Sequence, residues 1–330
     1  MKKLMNAPES ILNDALQGFA AAHQNIISLD QTARTVFRRQ PKEAGKVALV
    51  SGGGAGHEPM HVGYVGRGML DAACAGEIFS SPTPSQIGKA AQAVDRGAGV
   101  LFVVKNYAGD IMNFEMASEI HGSNAICVVT DDDVALLGRS RSNGQGSRGV
   151  AGTVVVEKII GAAAERGASL EECAEIGRQV NAATGSMAAA LRACTLPASA
   201  RPTFLLGEGE IELGVGIHGE IGRERTAVQN ADELAEIFVQ SIFAKLKPDR
   251  NEPLLLLCNG LGATPAMELW SFYQAGRRRV EARGCKVERS LIGNFCTALD
   301  MAGASLTITK LNERTMSLWD DPVETPALRW

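Results

Sequence analysis

The chain has 330 residues, of which 45% are hydrophobic and 21% are charged, a composition typical of a globular protein with room for two domains. Its net charge of −4 and its aromatic content of 5% argue against a nucleic-acid partner. The seven cysteines include no C-x-x-C pair, which favours reduced thiols in a cytoplasmic protein over a disulfide framework or a zinc site. No apolar run approaches the length of a membrane span, and no signal peptide is predicted.

Helices and buried strands alternate along the first half of the chain. Apolar residues at helical spacing predict a first helix over residues 8–23. Short apolar runs predict buried strands, and amphipathic segments between them predict helices. The predicted strands cover 47–51, 100–105 and 125–130, and the predicted helices cover 84–96, 111–120, 152–167 and 169–184. Ser169 and Glu172 have the spacing of a capping box at the start of the last helix.

The second half continues this alternation. It contains predicted strands over 254–258, 286–293 and 304–310, and predicted helices over 231–246 and 264–283. Buried strands that alternate with helices predict two α/β domains with mixed, largely parallel sheets flanked by helices. We expect a boundary near Thr184, so that the domain of residues 1–184 carries the substrate loops and the domain of residues 185–330 carries His218.

The segment around His218 is rich in glycine. Gly214, Gly216 and Gly219 leave little side-chain bulk beside the imidazole, so a small molecule could approach a ring nitrogen. Because neutral imidazole is nucleophilic, the contact could be covalent, although a plain turn between strands is an equal alternative. The spacing also fits the dinucleotide fingerprint G-x-G-x-x-G. We reject that interpretation because neither a convincing strand before it nor a helix after it is predicted.

Two other segments place polar residues after a predicted strand. Ser51-Gly52-Gly53-Gly54-Ala55-Gly56-His57-Glu58-Pro59 follows the first strand, and Lys105-Asn106-Tyr107-Ala108-Gly109-Asp110 ends the second. Ligands of open α/β sheets gather at the carboxyl ends of strands, so one pocket could hold both His57 and Asp110. The glycines can offer backbone N–H groups to ligand oxygens, although a tight turn would also explain them.

The sequence contains no motif that predicts a nucleotide or metal site. No P-loop and no kinase signature set occurs. Asp131-Asp132-Asp133 follows a predicted strand and could bind Mg²⁺, but helix capping or solvent exposure explains it equally well. We therefore predict no metal site.

Seven segments, in the same order and nearly from end to end, resemble the dihydroxyacetone kinase family, and above all its K subunit. They are SGGGAGHEP (51–59), GEIFSSPTP (76–84), VVKNYAGDIMNFE (103–115), DDDVA (131–135), GVGIHGE (214–220), LGATP (261–265) and DDPVETPALRW (320–330). Two positions depart from the pattern of the family, which often has Ser at Ala55 and Thr at Ala108. These two departures leave the fine substrate preference open.

The resemblance implies roles for individual residues. His218 would add through a ring nitrogen to the ketone carbon of dihydroxyacetone and form a hemiaminal, which a polyol such as glycerol cannot form. Asp110 would act as base toward a terminal hydroxyl, with His57 as its hydrogen-bonding partner or co-base. The further residues expected to contact the substrate are Gly54, Ala55, Gly56, Lys105 and Ser81.

The resemblance also implies partners. K subunits bind only the sugar, so we expect no cofactor in this chain and expect ADP or ATP with Mg²⁺ on a separate L subunit. The donor stays open between ATP and a phosphoenolpyruvate relay through an M subunit of the phosphotransferase system. The family favours a cytoplasmic homodimer. Two alternatives also stay open: a kinase subunit for a related small ketose such as erythrulose, and a non-catalytic ketose-sensing co-regulator.

Overall fold

The computed structural model describes residues 2–122, 124–137 and 146–330. These residues form twelve strands and eight α-helices. The strands are β1 (Ile27–Asp30), β2 (Thr35–Arg38), β3 (Ala48–Ala55), β4 (Ala72–Ile78), β5 (Val100–Lys105), β6 (Ala125–Thr130), β7 (Thr184–Arg192), β8 (Glu210–Leu213), β9 (Glu224–Ala227), β10 (Pro253–Gly260), β11 (Lys286–Gly293) and β12 (Ala302–Lys310). The helices are α1 (Ile11–Ala22), α2 (Pro84–Val94), α3 (Ala108–His121), α4 (Gly152–Glu165), α5 (Leu170–Ala182), α6 (Ala231–Leu246), α7 (Ala266–Ala282) and α8 (Glu313–Asp320). None of the helices in this described part of the chain combines the length and apolar character needed to cross a membrane.

The chain divides into two compact units. The first comprises Met1–Thr130, Val156–Gln179 and Ser317–Trp330, and the second comprises Asp131–Val155 and Val180–Met316. Among the described residues each unit contains one six-stranded sheet, with the order β1-β2-β4-β3-β5-β6 in the first and β11-β10-β12-β7-β8-β9 in the second. The predicted α/β class, with mixed sheets and flanking helices, is confirmed. The domain boundary near Thr184 stays a prediction.

The sheet of the first unit is parallel from β4 through β3 and β5 to β6, and its antiparallel edge consists of β1 and β2. Every residue of β5 is buried, as expected for an interior parallel strand. The rings of Phe102 in β5 and Phe114 in α3 meet edge to face, with centroids 5.7 Å apart. Helices α2 and α3 therefore pack on this sheet over an apolar core.

Strand β3 continues beyond the apolar run from which it was predicted. We expected the strand to end at Ser51, but it extends through the glycines to Ala55 and pairs with β4 along that length. A Cβ atom on Gly52 would lie 2.6 Å from the carbonyl oxygen of Cys74, and one on Gly54 would lie 2.5 Å from the Ser80 nitrogen. The alternative explanation by a tight turn does not hold for residues 52–55, which lie in β3. These glycines allow backbones to approach closely, and they give no hydrophobic signal for a strand.

The sheet of the second unit is mainly antiparallel, whereas we expected largely parallel strands. Its one parallel pair among the described residues joins β10 to β11. Strand β7 was not predicted, because its small residues, rich in alanine, fit a helix end as well as a buried strand. Helices α6 and α7 cover the sheet and meet through Phe238 and Phe272, whose ring centroids are 5.4 Å apart.

Candidate active site

Asp110 and Lys105 form an ion pair in the interior of the first unit. Lys105 is the last residue of β5, and Asp110 lies in the first turn of α3, where a negative side chain is favoured by the helix dipole. The Lys105 Nζ donates to Asp110 Oδ2 at 3.3 Å, and the two side chains are only 1% and 6% exposed. Helix α3 begins three residues earlier than predicted. The structure thus brings together two residues that the family resemblance had named.

Two residues that sequence reasoning missed extend this pair. The Lys105 Nζ lies 3.0 Å from His61 Nε2, and His61 Nδ1 lies 2.6 Å from Glu157 Oε1. Burial, reinforced by the positive charge of Lys105, lowers the pKa of His61 well below its ordinary value, although Asp110 acts in the opposite sense. Burial raises the pKa of Glu157 to about 8, against the opposing effects of the Ser51 hydroxyl and Lys105.

The other predicted residues of the first unit lie around the ends of β3 and β4. His57 follows β3 by two residues, is fully buried, and stacks on Phe79 with ring centroids 5.1 Å apart. The Gly56 N–H donates to the Glu58 carboxylate at 3.0 Å. The Cβ of Ser81 is 3.5 Å from the position that a Cβ on Gly109 would occupy, next to Asp110 in the chain. Gly54 and Ala55 form the end of β3. The roles of these residues stay predictions.

His218 lies in the second unit, in the connection between β8 and β9, which pair as an antiparallel hairpin. Strand β8 ends directly before Gly214, contrary to the prediction, but a strand and not a helix follows the glycines, so the rejection of a dinucleotide fingerprint is confirmed. The Nδ1 of His218 lies 3.0 Å from Glu220 Oε1, and the backbone N–H of His218 donates to Glu220 Oε2 at 2.9 Å. Because the carboxylate only accepts, it selects the tautomer with the proton on Nδ1 and leaves a lone pair on Nε2. His218 is 20% exposed in this arrangement.

The carboxylate of Glu220 is the charge partner of this histidine. Burial by itself raises the pKa of Glu220, but the hydrogen bond and charge of His218, together with Arg148, lower it to about 2. A Cβ atom on Gly216 would collide with the Glu220 carboxylate and would lie 2.6 Å from Arg148 Nη1. Gly216 is therefore required by the histidine–carboxylate pair, which explains one glycine of the motif physically.

The acidic run at 131–133 supports the polypeptide around this loop. Asp132 accepts hydrogen bonds from the backbone of Val150 and Gly152, both at 2.8 Å, at the start of α4. Asp133 pairs with Arg148 at 2.5 Å, and Arg148 Nη2 donates to the Gly214 carbonyl at 2.7 Å. Both carboxylates are buried, so helix capping, and not solvent exposure, accounts for Asp132. No group of three or more His, Cys, Asp or Glu side chains that could hold a metal ion occurs within the described ranges.

Signals for the missed residues exist in the sequence, but they are weak. Glu157 interrupts an apolar helical run, where a charged residue on the buried face points to a special role. His61 follows His57 by four residues in the same segment, and Glu220 follows His218 by two. None of these spacings is specific, and the contacts of His61 with Lys105 and Glu157 join elements far apart in the chain.

The comparisons with known proteins identify the family. The family model described as Dak1 domain matches residues 17–327. This chain belongs to the Dak1 family. The Escherichia coli protein named PEP-dependent dihydroxyacetone kinase, dihydroxyacetone-binding subunit DhaK, is 45% identical, and the alignment covers 100% of this chain and 99% of that protein. The L-erythrulose 1-kinase of Mycolicibacterium smegmatis is 37% identical, over 100% of this chain and 58% of that protein.

Solved structures share the fold of this chain. The dihydroxyacetone kinase operon co-activator Dha-DhaQ superposes with a TM-score of 0.89 at 32% identity, over 96% of this chain and 97% of that one. The dihydroxyacetone kinase of C. freundii superposes with a TM-score of 0.87 at 34% identity, over 98% of this chain and 60% of that one. The same fold thus occurs in a dihydroxyacetone kinase and in an operon co-activator.

Proposed function

We propose that this chain is the dihydroxyacetone-binding subunit of a dihydroxyacetone kinase, a phosphotransferase with an alcohol acceptor. Family membership and the full-length similarity to the Escherichia coli subunit support this assignment. The observation that carries it is the contact of His218 Nδ1 with Glu220, because a proton held on Nδ1 makes Nε2 the nucleophilic nitrogen of the ring. The sugar is thus held by a bond that glycerol cannot form.

In the proposed binding step, the Nε2 lone pair of His218 attacks the ketone carbon and the carbonyl π electrons move to oxygen. The oxygen takes one proton from solvent and the ring keeps its proton on Nδ1, so the atoms balance and the ring of the hemiaminal carries a positive charge. Glu220 accepts the hydrogen bond from Nδ1–H and stabilises this positive ring. Discrimination against polyols follows from the chemistry of the carbonyl and not from shape.

In the proposed transfer step, Asp110 accepts the proton of a terminal hydroxyl while that oxygen attacks the transferred phosphorus, and the bond from this phosphorus to the ADP leaving group on the proposed L subunit breaks. A carboxylate suffices because the transition state of phosphoryl transfer is loose and the proton leaves late. His57 acts as hydrogen-bonding partner or co-base. Lys105, which contacts Asp110 at 3.3 Å, contributes a positive charge, and Gly54, Ala55, Gly56 and Ser81 complete the proposed contacts with the sugar.

The proposed partners follow from the same family. This chain binds no cofactor of its own in the proposal, and an L subunit carries ADP or ATP with Mg²⁺. The name of the Escherichia coli relative favours a phosphoenolpyruvate-driven donor, and hence an M subunit of the phosphotransferase system, over free ATP. We further propose a cytoplasmic homodimer.

The covalent claim is tested by ligand binding with a matched control. His218→Ala is expected to lose tight ketose binding and to bind dihydroxyacetone and glycerol with comparable affinity. The control is His121→Ala, since His121 also pairs with a carboxylate, with its Nε2 3.3 Å from Asp95 Oδ2. Calorimetric titration with both ligands, and electron density at His218 in a crystal soaked with ketose, are the measurements. Unchanged affinity for the ketose in His218→Ala would refute the covalent claim.

Two relatives favour second candidates. The similarity to an L-erythrulose 1-kinase, together with alanine at positions 55 and 108, supports a tetrose substrate in a wider pocket. Turnover on triose and tetrose ketoses tests this, and Ala55→Ser with Ala108→Thr is expected to shift the ratio of the two turnover rates toward the triose.

The similarity to a co-activator supports a sensor, which needs His218 but not Asp110. Because this chain has both, we favour the enzyme; ketose binding without product, assayed with an L subunit, would favour the sensor.

A further inference from the structure

A continuous row of polar side chains runs through the interior of the first unit and ends at Asp110. In order, the row consists of Glu157, His61, Lys105 and Asp110, with side chains 0%, 3%, 1% and 6% exposed. The three contacts measure 2.6, 3.0 and 3.3 Å. Glu157 lies in α4, His61 in the segment after β3, Lys105 in β5 and Asp110 in α3. Burying polar and charged groups is costly unless they are paired, so the presence of four such side chains in the interior requires an explanation.

The direction of each hydrogen bond in the row follows from the donors. A lysine ammonium only donates, so His61 Nε2 must accept from Lys105 and the ring proton must be on Nδ1. Nδ1–H then donates to Glu157 Oε1, with the Ser51 hydroxyl oxygen 3.1 Å from the same nitrogen. Ser51 in turn donates to the Val103 carbonyl at 2.7 Å, which fixes it against β5.

The charge state of the row is consistent with these directions. Since the pKa of His61 is lowered, its ring is neutral and can accept at Nε2. Since the pKa of Glu157 is raised to about 8, its carboxyl is mostly protonated at neutral pH and accepts through its carbonyl oxygen. The groups that face Glu157 are His61 and Ser51, with Lys105 and then Asp110 beyond. The one buried charge pair of the row is then Lys105 with Asp110.

We propose that His61 and Glu157 are positioning residues that hold the Lys105 ammonium against Asp110 through the lone pair on His61 Nε2. This inference rests on the proposed function, in which Asp110 is the base. Without His61 the flexible lysine would be held only by the carboxylate and by a long contact of 3.5 Å with the Gly52 carbonyl oxygen, whereas an acceptor at 3.0 Å fixes where its charge lies. Gly53 supports this geometry, because a Cβ atom there would collide with the Lys105 Nζ.

The first test needs no catalytic activity. Protein labelled with ¹⁵N in histidine is examined by NMR, and His61→Gln assigns the signals of His61 among the five histidines. We expect a neutral ring that is protonated on Nδ1 and unprotonated on Nε2 at pH 7. In Lys105→Met the donor to Nε2 is gone, so the Glu157 carboxyl can donate to Nδ1 and the ring proton is expected on Nε2. His121 serves as the internal control, with an unchanged signal.

The second test separates positioning from simple packing. With a nucleotide-binding partner subunit, Glu157→Ala is expected to lower kcat about 10- to 100-fold with KM changed less than about threefold, because a small displacement near the base slows transfer. Glu157→Gln keeps the acceptor oxygen and should restore kcat to within about threefold of the wild type at pH 7. The control is Glu165→Gln, which alters a carboxylate on the same helix that contacts Arg38 and Gly68 instead of His61. Its kcat should stay within about twofold.

The outcomes are distinct. A His61 ring protonated on Nε2 in the wild type, or a ring that keeps its proton on Nδ1 in Lys105→Met, would overturn the inference. So would equal losses of kcat in Glu157→Ala and Glu157→Gln, since no rescue by the amide means that the acceptor is irrelevant. If the wild type transfers phosphate to no ketose, the proposed function fails, and the ring tautomers still decide whether the row holds Lys105 as described.

Discussion

Replacing Glu220 by glutamine tests the link between the histidine–carboxylate pair and ketose binding. Glutamine keeps the shape of the side chain and can still accept one hydrogen bond, but it carries no charge. It also cannot serve both donors, since Nδ1–H and the backbone N–H of His218 approach different carboxylate oxygens at 3.0 and 2.9 Å. One of these donors would face the amide NH₂ group, so the ring of His218 would lose its fixed orientation.

The magnitude follows from the electrostatics of Glu220. Its pKa falls from 4.5 to about 2, and at about 1.36 kcal/mol per pH unit this favours the charged form in the folded protein by about 3 kcal/mol. A hydrogen bond to a charged acceptor contributes about 1.5–3 kcal/mol. We therefore expect Glu220→Gln to weaken ketose binding about 10- to 100-fold, with the affinity for glycerol nearly unchanged.

Calorimetric titration of the wild type and of Glu220→Gln with ketose and with glycerol measures this effect. The control is Glu224→Gln, whose carboxylate is 56% exposed and 3.9 Å from Arg223 Nε. The stability difference between wild type and Glu220→Gln has a defined pH dependence, because the folded pKa lies below the unfolded one. It is fully present above pH 4.5 and is lost as the pH falls toward 2. Wild-type affinity for the ketose in Glu220→Gln would refute the orienting role of this carboxylate.

Three further predictions concern other parts of the chain. Asp110→Asn should keep ketose binding but lose about 10²-fold or more in phosphate transfer, measured as kcat with a partner subunit, and retained turnover would exclude it as the base. Gly18→Ala, in an exposed helix position with no atom within 4 Å of the added Cβ, should raise the free energy of unfolding by about 0.5–1 kcal/mol in denaturant titrations. The matched Gly177→Ala should lower it, because its Cβ would lie 2.5 Å from Ile160 Cδ1; equal signs would contradict the packing argument. Because the folded pKa of Glu157 is raised, its contribution to stability is full below pH 4.5 and is lost as the pH rises through 8. Between about pH 5.5 and about pH 7.5 the free energy of unfolding of the wild type should therefore fall by about 3 kcal/mol relative to that of Glu157→Gln. Parallel curves of unfolding free energy against pH for the two proteins would contradict the assignment of a protonated carboxyl.

The local elements followed from the sequence where the hydrophobic signal was strong. Strands β5 and β6 and helix α6 were predicted with the bounds that the structure gives them, and the capping box at Ser169 and Glu172 is present. Strand β3 was predicted too short because glycines carry no hydrophobic signal, and β7 was missed because alanine fits both kinds of element. The predicted direction of the strands in the second unit was wrong, because the direction depends on which strands pair and not on the residues of one strand.

The sequence by itself determined the family, through long motifs, and named Asp110, Lys105 and His218 as candidates. Only the tertiary structure brought His61 and Glu157, 96 positions apart in the chain, into contact, and assigned Glu220 as the partner of His218 Nδ1. The physical reason is that a hydrogen bond at 2.6 Å between buried groups depends on how helix and strand pack. Residues that act directly on a ligand lie in recognisable segments, whereas the residues that hold them are recruited from whichever elements the fold places beside them.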